Sequence, residues 1–492
     1  MVVNMTLLTA ITVLAISSSI APPREADYWR IETLALPDSV VLEAGGILPL
    51  DDKRVMVCTR RGELWTITDA WTDKPTFTLS LDGLQEPMGL LAPEGTGKGK
   101  PIYVAQRGEL TRLVDDDGDT KIDRVELVCD GWGISGNYHE YCFGPARDAN
   151  GDLWVTLNRP FGEGPFGDKD WRGWAARITP DGVAHFDVAG LRSPCGVASS
   201  PDGEIFYSDN QGEWCPTNKL AVLKRGDFHG HPHGIESAKR KESNVEFPGV
   251  IPDGILMPAA AKSIPHLRLP AIWFPYDKMG KSASGFEWDT TKGKFGPFDG
   301  QVFVGDQHHA AVFRVALEKV NGEWQGACFP FRSGFRCGIV RVAFLPDGSL
   351  AVGETNRGWG SRGSKPWGLE RCVWTGKVPF EVLTMSAQPD GFRLTFTQPV
   401  DLTSAADVAS YSVSSYTYEL HERYGSDEMD TKKLRVAKAT VSADKLSVDL
   451  VVEGLRAAYV HELHADGVRD ATGSPLLHAD AYYTLNAIPI QR

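Results

Sequence analysis

Residues 201–209 read Pro-Asp-Gly-Glu-Ile-Phe-Tyr-Ser-Asp, "PDGEIFYSD". A Pro-Asp-Gly turn hands the chain to a short apolar strand that ends on polar residues, a turn-then-strand signal. The unit recurs as "ANGDLWVT" (149–156), "FDGQVFVG" (298–305) and "PDGSLAVG" (346–353). Looser copies are "LDDKRVMVC" (50–58) and "GKGKPIYVA" (97–105). Aligned on Met56, Tyr103, Trp154, Phe206, Phe303 and Ala351, the copies lie 47, 51, 52, 97 and 48 residues apart. A period near 50 residues with several short strands per unit predicts a β-propeller.

The double-length gap decides the blade count. After "EIFYSD" comes "KLAVLKR" (219–225), a third strand of the same blade. The next first strand is "SASGFEWD" (282–289). The stretch from about Gly234 to Pro270 between them is Pro-rich with little strand pattern, so it reads as an inserted loop, and six blades are expected over residues 26–378. The tail changes character. "FRLTFTQPVD", "SYSVSSYTYEL", "LSVDLVVEGL" and "AYVHELHA" alternate with period two, which predicts an immunoglobulin- or fibronectin-like β-sandwich over residues 379–488. The fold class is therefore all-β, a six-bladed propeller followed by a sandwich.

Bulk properties narrow the function. The chain has 492 residues, 42% hydrophobic and 23% charged, with 51 glycines and 31 prolines suiting many turns. A net charge of −13 excludes a protein that tracks nucleic-acid phosphates through a basic face. The apolar run Met5–Ile16 is too short to span a bilayer. With Ser19-Ile20-Ala21 as a small-residue cleavage site, it predicts a signal peptide over residues 1–21 and a secreted or periplasmic protein. No later segment could cross a membrane as a helix. Eight cysteines fit an oxidising compartment, Cys195–Cys215 and Cys328–Cys337 being the nearest candidate staples; buried free thiols are the alternative. No CxxC, GxSxG or HExxH occurs, and "MGKS" (279–282) resembles a phosphate-binding loop only until Pro275, where its first Gly would stand.

In a propeller, loops leading into first strands and loops joining second to third strands open on the same face. The second-to-third loops carry Arg60, Arg61, Gln106, Arg107, Asn158, Arg159, Asp209, Asn210, Gln211, His308, His309, Asn356 and Arg357. Those leading into first strands carry His139, Arg192, Lys281 and Arg336. Trp214, Trp359 and Trp367 lie among them, and flat aromatic faces beside hydroxyl-pairing groups suit a sugar or oligosaccharide. On the opposite face, "DDDGDTKIDRVE" sets Asp115, Asp117, Asp119, Asp123 and Glu126 at positions 1, 3, 5, 9 and 12 of a calcium loop, with Thr120 where Gly usually turns the chain. Such a calcium would be structural.

The segment "LRSPCGVASSPDGEIFYSDNQGEWCPTNKLAVLKRGDFHGHP" (191–232) resembles the soluble glucose and sorbosone dehydrogenase family, and "SASGFEWDTTKGKFGPFDGQVFVGDQHHAAVFRVAL" (282–317) is similar to its next blade. The resemblance, spanning roughly Ala26 to Lys377, implies a six-bladed propeller that oxidises sugars with pyrroloquinoline quinone (PQQ) and calcium, passing electrons to an external acceptor. It implies that His139 is the general base and that Asn158 stands where the family has an assisting Asp. Arg192 would hold a quinone carboxylate, with Asp209, Asn210, Gln211, His231, His308, Arg336, Arg341 and Asn356 around the cofactor. The active-site calcium would sit on the carbonyls of Gly212 and Glu213. His308 replaces the family's Lys, and the Arg pair of the last blade is out of register, leaving Arg336 and Arg341. Two other functions remain open. One is a metal-assisted lyase or hydrolase without PQQ, built on His139, His231 and His308. The other is a non-catalytic carbohydrate- or protein-binding propeller.

Overall fold

The computed structural model describes residues 23–92, 99–162 and 170–490; the expected signal peptide lies outside them. Six four-stranded antiparallel blades form the propeller, five of them separate sheets and the fifth continuous with a larger sheet. The second strands of the blades are Arg54–Thr59, Ile102–Ala105, Leu153–Leu157, Ile205–Asp209, Val302–Asp306 and Leu350–Thr355, and the six residues used to align the repeat all fall within them. The turn before the fourth of these shows why the Pro-Asp-Gly signal works. The Gly203 amide donates to the Ser200 carbonyl at 2.8 Å, and Gly203 takes φ +79°, which a residue without Cβ adopts freely. The strand that follows is buried throughout, packed between neighbouring blades.

The inserted segment belongs to the fourth blade. After the third strand, Asn218–Val222, the chain runs through a 3₁₀ turn (Ile235–Lys239) and one short helix (Met257–Ser263) before Ile272–Phe274 closes the blade. The ring is closed from the other end of the chain. Trp29–Thr33 pairs with Trp367–Trp374 as the outer strand of the last blade, from Trp29 opposite Trp374 to Thr33 opposite Glu370. Trp29 is fully buried among Phe295, Phe298 and Phe331.

The tail is a sandwich of two four-stranded layers. One has the order Val382–Gln388, Gly391–Phe396, Ser447–Val452, Val436–Val441. The other, Asp480–Leu485, Tyr459–His464, Ser412–Thr417, Met429–Leu434, is hydrogen-bonded edge to edge with the outer strand of the fifth blade, Glu323–Ser333, making one eight-stranded sheet. The join runs through Gly326–Thr484, Ala327–Tyr483 and Cys328–Tyr482. A second link pairs Glu419–Leu420 of the sandwich with Ile255–Leu256 of the fourth-blade insertion.

All eight cysteines are free thiols, and seven are buried. This corrects the expected Cys195–Cys215 and Cys328–Cys337 staples: Cys328 lies in the fifth-blade sheet against the Trp273 and Tyr482 carbonyls, and burial raises the thiol pKa of Cys215 and Cys337 to about 12. Among the described residues no helix is long and apolar enough to cross a membrane.

Candidate functional site

The face predicted to gather the polar loops holds a cavity of about 330 Å³ at the mouth of the central channel. Its wall combines both loop classes. His139, Arg192 and Lys281 come from loops leading into first strands; Arg60, Asn210, Gln211, Glu213, Gln307, Arg357 and Trp359 come from second-to-third loops. Tyr141, Phe143 and Phe161 supply aromatic faces, and Tyr424 reaches in from the sandwich.

His139 is half-buried and lies over Phe161, ring centroids 4.4 Å apart. Its amide donates to Asn137 Oδ1, and no described residue hydrogen-bonds its ring. Burial, then the positive charges of Arg192 and Arg159, hold its pKa below the usual histidine value, so the imidazole is neutral at physiological pH. Arg60 is buried beside it. It donates to the Tyr141 hydroxyl at 2.8 Å and to Glu86 at 2.7 Å. Tyr141 is held protonated, its pKa raised by burial. Arg192 donates to Glu213 at 2.9 Å, and its guanidinium lies over Phe161 (4.5 Å) and Tyr424 (5.4 Å). Arg159 donates to the same Glu213 oxygen at 2.6 Å. Asp209 sits behind the wall. Its carboxylate accepts from the Arg192 and Ser193 amides at 3.0 and 2.7 Å and so fixes the loop that presents Arg192.

Several sequence-predicted residues stand elsewhere. Asn158 is buried and donates to Ser193 Oγ at 3.1 Å rather than assisting His139. His231 is buried under its own loop, with Nδ1 accepting from the His233 amide at 3.0 Å. His229 is buried against Tyr207. His308 bonds the Gly360 carbonyl on the rim at 2.7 Å, and Asn356 is exposed, its amide bonded to Pro366. Arg336 packs in the last blade, where its amide donates to Glu370. Arg341 points down the channel, donating to the Cys195 and Met88 carbonyls. The metal centre expected from His139, His231 and His308 is thus not assembled: among the described residues, the one cluster with metal-ligand spacing is Asp115, Asp117 and Asp123. In that far-face loop Thr120 takes φ +75°, the geometry Gly usually supplies, while Glu126 is turned to Arg112 on the adjoining strand and to Arg124 on its own.

These donors do not suit the quinone and calcium that the resemblance implies. The Gly212 carbonyl accepts from the Gly425 amide at 3.1 Å, and Glu213 pairs with Tyr424 in an antiparallel bridge. One of the two carbonyls expected to hold calcium is therefore already bonded to the sandwich backbone, and both arginines nearby hold the Glu213 carboxylate. His308, Arg336, Arg341 and Asn356 lie outside the cavity wall. The PQQ–calcium donor set does not fit this site.

Tyr424, Tyr141, Phe161 and Gln307 are site residues that sequence reasoning did not single out. Phe161 and Tyr141 could have been found from their positions beside Arg159 and His139. Nothing in "HERYGSDE" (421–428) marks Tyr424.

A family model described as a domain of unknown function, DUF7133, matches residues 54–264. No curated protein matches the chain. Among solved structures, the chain is similar to an oxidoreductase (glucose dehydrogenase) from Thermus thermophilus, at 19% identity and TM-score 0.50, over 70% of this chain and 100% of that one. It is similar to a second glucose dehydrogenase at 16% identity and TM-score 0.50, covering 69% and 98%. The PQQ-bound aldose sugar dehydrogenase of Streptomyces coelicolor aligns at 16% identity and TM-score 0.46, covering 72% and 100%. At these identities the relationship is one of fold, the β-propeller of the glucose dehydrogenases.

Proposed function

We propose that the chain is a carbohydrate-acting enzyme whose reacting centre is the channel-mouth cavity, with His139 taking a proton from the sugar. The observation that carries this reading is the neutral, ring-unpaired imidazole on the cavity wall, set among aromatic faces and hydroxyl-pairing amides. The wall carries Arg60, Arg192, Lys281 and Arg357, paired in turn with Glu86, Glu213, Asp277 and Glu43; such guanidinium and ammonium groups can re-pair with a sugar carboxylate, and we take that as the reason to favour a sugar that bears one.

Oxidation of a sugar hydroxyl needs a hydride acceptor, and the quinone's donor set does not fit here. Elimination from a uronate chain needs none. His139 takes the proton from the carbon next to the carboxylate, Arg192 and Arg60 offset the charge that develops there, and the electron pair forms a C=C bond as the C–O bond to the neighbouring sugar breaks. The leaving oxygen takes a proton from Tyr141, which burial keeps protonated and which lies 6.4 Å from His139 between ring centroids. The apolar run at Met5–Ile16 supports action on polysaccharide outside the cytoplasm. We propose that the Asp115–Asp117–Asp123 cluster holds a structural calcium, apart from the chemistry.

The test is to incubate the protein with polygalacturonate and follow the ultraviolet absorbance of the unsaturated product, alongside dye reduction with PQQ, calcium and aldoses. The expected result is product absorbance that falls about 10²–10⁴-fold in His139→Gln. Dye reduction without unsaturated product would replace elimination with sugar oxidation. Neither signal, with no saccharide bound, would leave a non-catalytic propeller.

A further inference from the structure

The sandwich reaches the cavity through one loop, residues 419–428. The Trp214 amide donates to the His421 carbonyl at 2.8 Å, the Gly425 amide to Gly212, and the Ser426 amide to Pro216 at 2.9 Å. These bonds lay the loop along the Asp209–Pro216 segment of the fourth blade. Gly425 is tightly seated: its φ is +64°, and a Cβ there would stand 2.6 Å from the Gln211 amide group. The next residue back, Tyr424, is held over the cavity with Arg192 beneath its ring and 52% of its surface open.

Beyond Tyr424 lies a second cavity of about 710 Å³ between the propeller and the sandwich. Gln211 and Tyr424 line both cavities, so the two adjoin at this pair. The second wall is polar, with Lys278, His421, Arg423 and Glu428 among its residues. Lys278 is fixed by Glu428 and Glu462, both from the sandwich, at 2.7 Å. One open aromatic face at the junction of an aromatic-lined cavity and a polar one is an arrangement that stacks a sugar while polar groups on either side hydrogen-bond its hydroxyls.

We propose that the second cavity is a further saccharide subsite, that Tyr424 is the stacking residue between the subsites, and that the ligand is an oligosaccharide of at least two units. The sandwich is then part of the binding site, and it sets the length of chain recognised. This rests on the carbohydrate reading of the first cavity.

Titration calorimetry on the full chain tests it, comparing galacturonic acid with trigalacturonic acid, and glucose with cellotriose. The trimer is expected to bind about tenfold tighter than its monomer. Arg423→Ala, on the second wall alone, should cut that advantage and leave the monomer's affinity unchanged within about twofold; Tyr424→Ala, which lines both cavities, should weaken the trimer more than the monomer, and Tyr424→Phe should keep the advantage. Thermal midpoints matching the wild type show that the variants fold. Equal affinity for monomer and trimer, or an Arg423→Ala loss that falls on both alike, overturns the subsite and leaves the first cavity's assignment standing. Length preference seen only with the neutral pair keeps the subsite and removes the uronate reading. No binding of any of the four overturns both.

Discussion

His139 illustrates how position rather than residue type makes a base. The chain has twelve histidines, and those of the "HGHPH" run (229–233) look richer in sequence. Yet His229 and His231 are buried, both ring nitrogens of His229 and Nε2 of His231 meeting no partner, and burial pushes both groups far below the usual histidine pKa. His139 combines a lowered pKa with access to the cavity. Because the neutral form is the base, activity should be full above the folded pKa and fall as pH drops through it. The acid limb of kcat/KM against pH should therefore lie below the ordinary histidine range of about 6.5. Replacing Arg192 by Met removes the largest of the charges that hold it down, so the limb should move up towards that value, together with a rise in KM. An acid limb unmoved by the Arg192 change would detach His139 from the chemistry.

Strands and loops differ in how plainly the sequence announces them. The second strands were legible because each couples a turn with a buried apolar run, and both are local properties. The spacing of the acidic loop carried only part of its geometry: three of its five carboxylates converge, while Asp119 accepts from the Lys121 amide and Glu126 sits on a strand, taken by Arg112 and Arg124. The cavity's framework was legible as well: His139, Arg192, Asn210, Gln211 and Glu213 line it. His308, Arg336, Arg341 and Asn356 do not, because the direction a side chain takes from a loop depends on contacts made by distant strands. The closing strand Trp29–Thr33 was not recognised as such for the same reason, its partner lying more than 300 residues away. It offers a strong test of the fold. Trp29 donates from its indole to the Phe295 carbonyl at 3.1 Å and fills the core of the last interblade contact. Trp29→Ala should cost about 3–5 kcal/mol in denaturant unfolding, with the ring opening at the last blade. On the far face, millimolar calcium should raise the thermal midpoint of the wild type, chelation should reverse this, and Asp117→Asn should abolish the response. A midpoint indifferent to calcium would mean that the loop is only a hydrogen-bonded acidic turn.

At the scale of the molecule, propeller and sandwich share one sheet and one buried charge network. Arg314, in the fifth blade, is fully buried between Phe298 and Phe329 and faces Glu381 at the start of the sandwich. Glu381 accepts from His478 at 2.7 Å, and His478 in turn reaches Glu25, ahead of the closing strand, at 3.2 Å. Glu25 also accepts from the Ser333 amide at 2.8 Å. Four regions of the chain therefore meet at one point, and thermal unfolding should be a single transition rather than one per domain. Burial alone would lower the His478 pKa, but the carboxylates of Glu381 and Glu25 outweigh it and raise it to about 9. The group is more basic folded than unfolded, so its contribution is complete below about pH 6.5 and is lost as pH rises through about 9. Burial opposes ionisation of Glu25 too, but His478 and the Ser333 hydrogen bonds lower its pKa to about 2. Its contribution is complete above the ordinary carboxylate range and is lost as pH falls towards 2. Stability should therefore plateau between roughly pH 5 and 7. His478→Gln keeps the side chain polar and removes the charge. It should unfold at a lower midpoint than the wild type at pH 6, by the equivalent of roughly 2–3 kcal/mol, and the gap should close as pH approaches 10. A gap of constant size across that range would show that His478 acts through packing alone, and that the domains are joined by their shared sheet and not by the charge network.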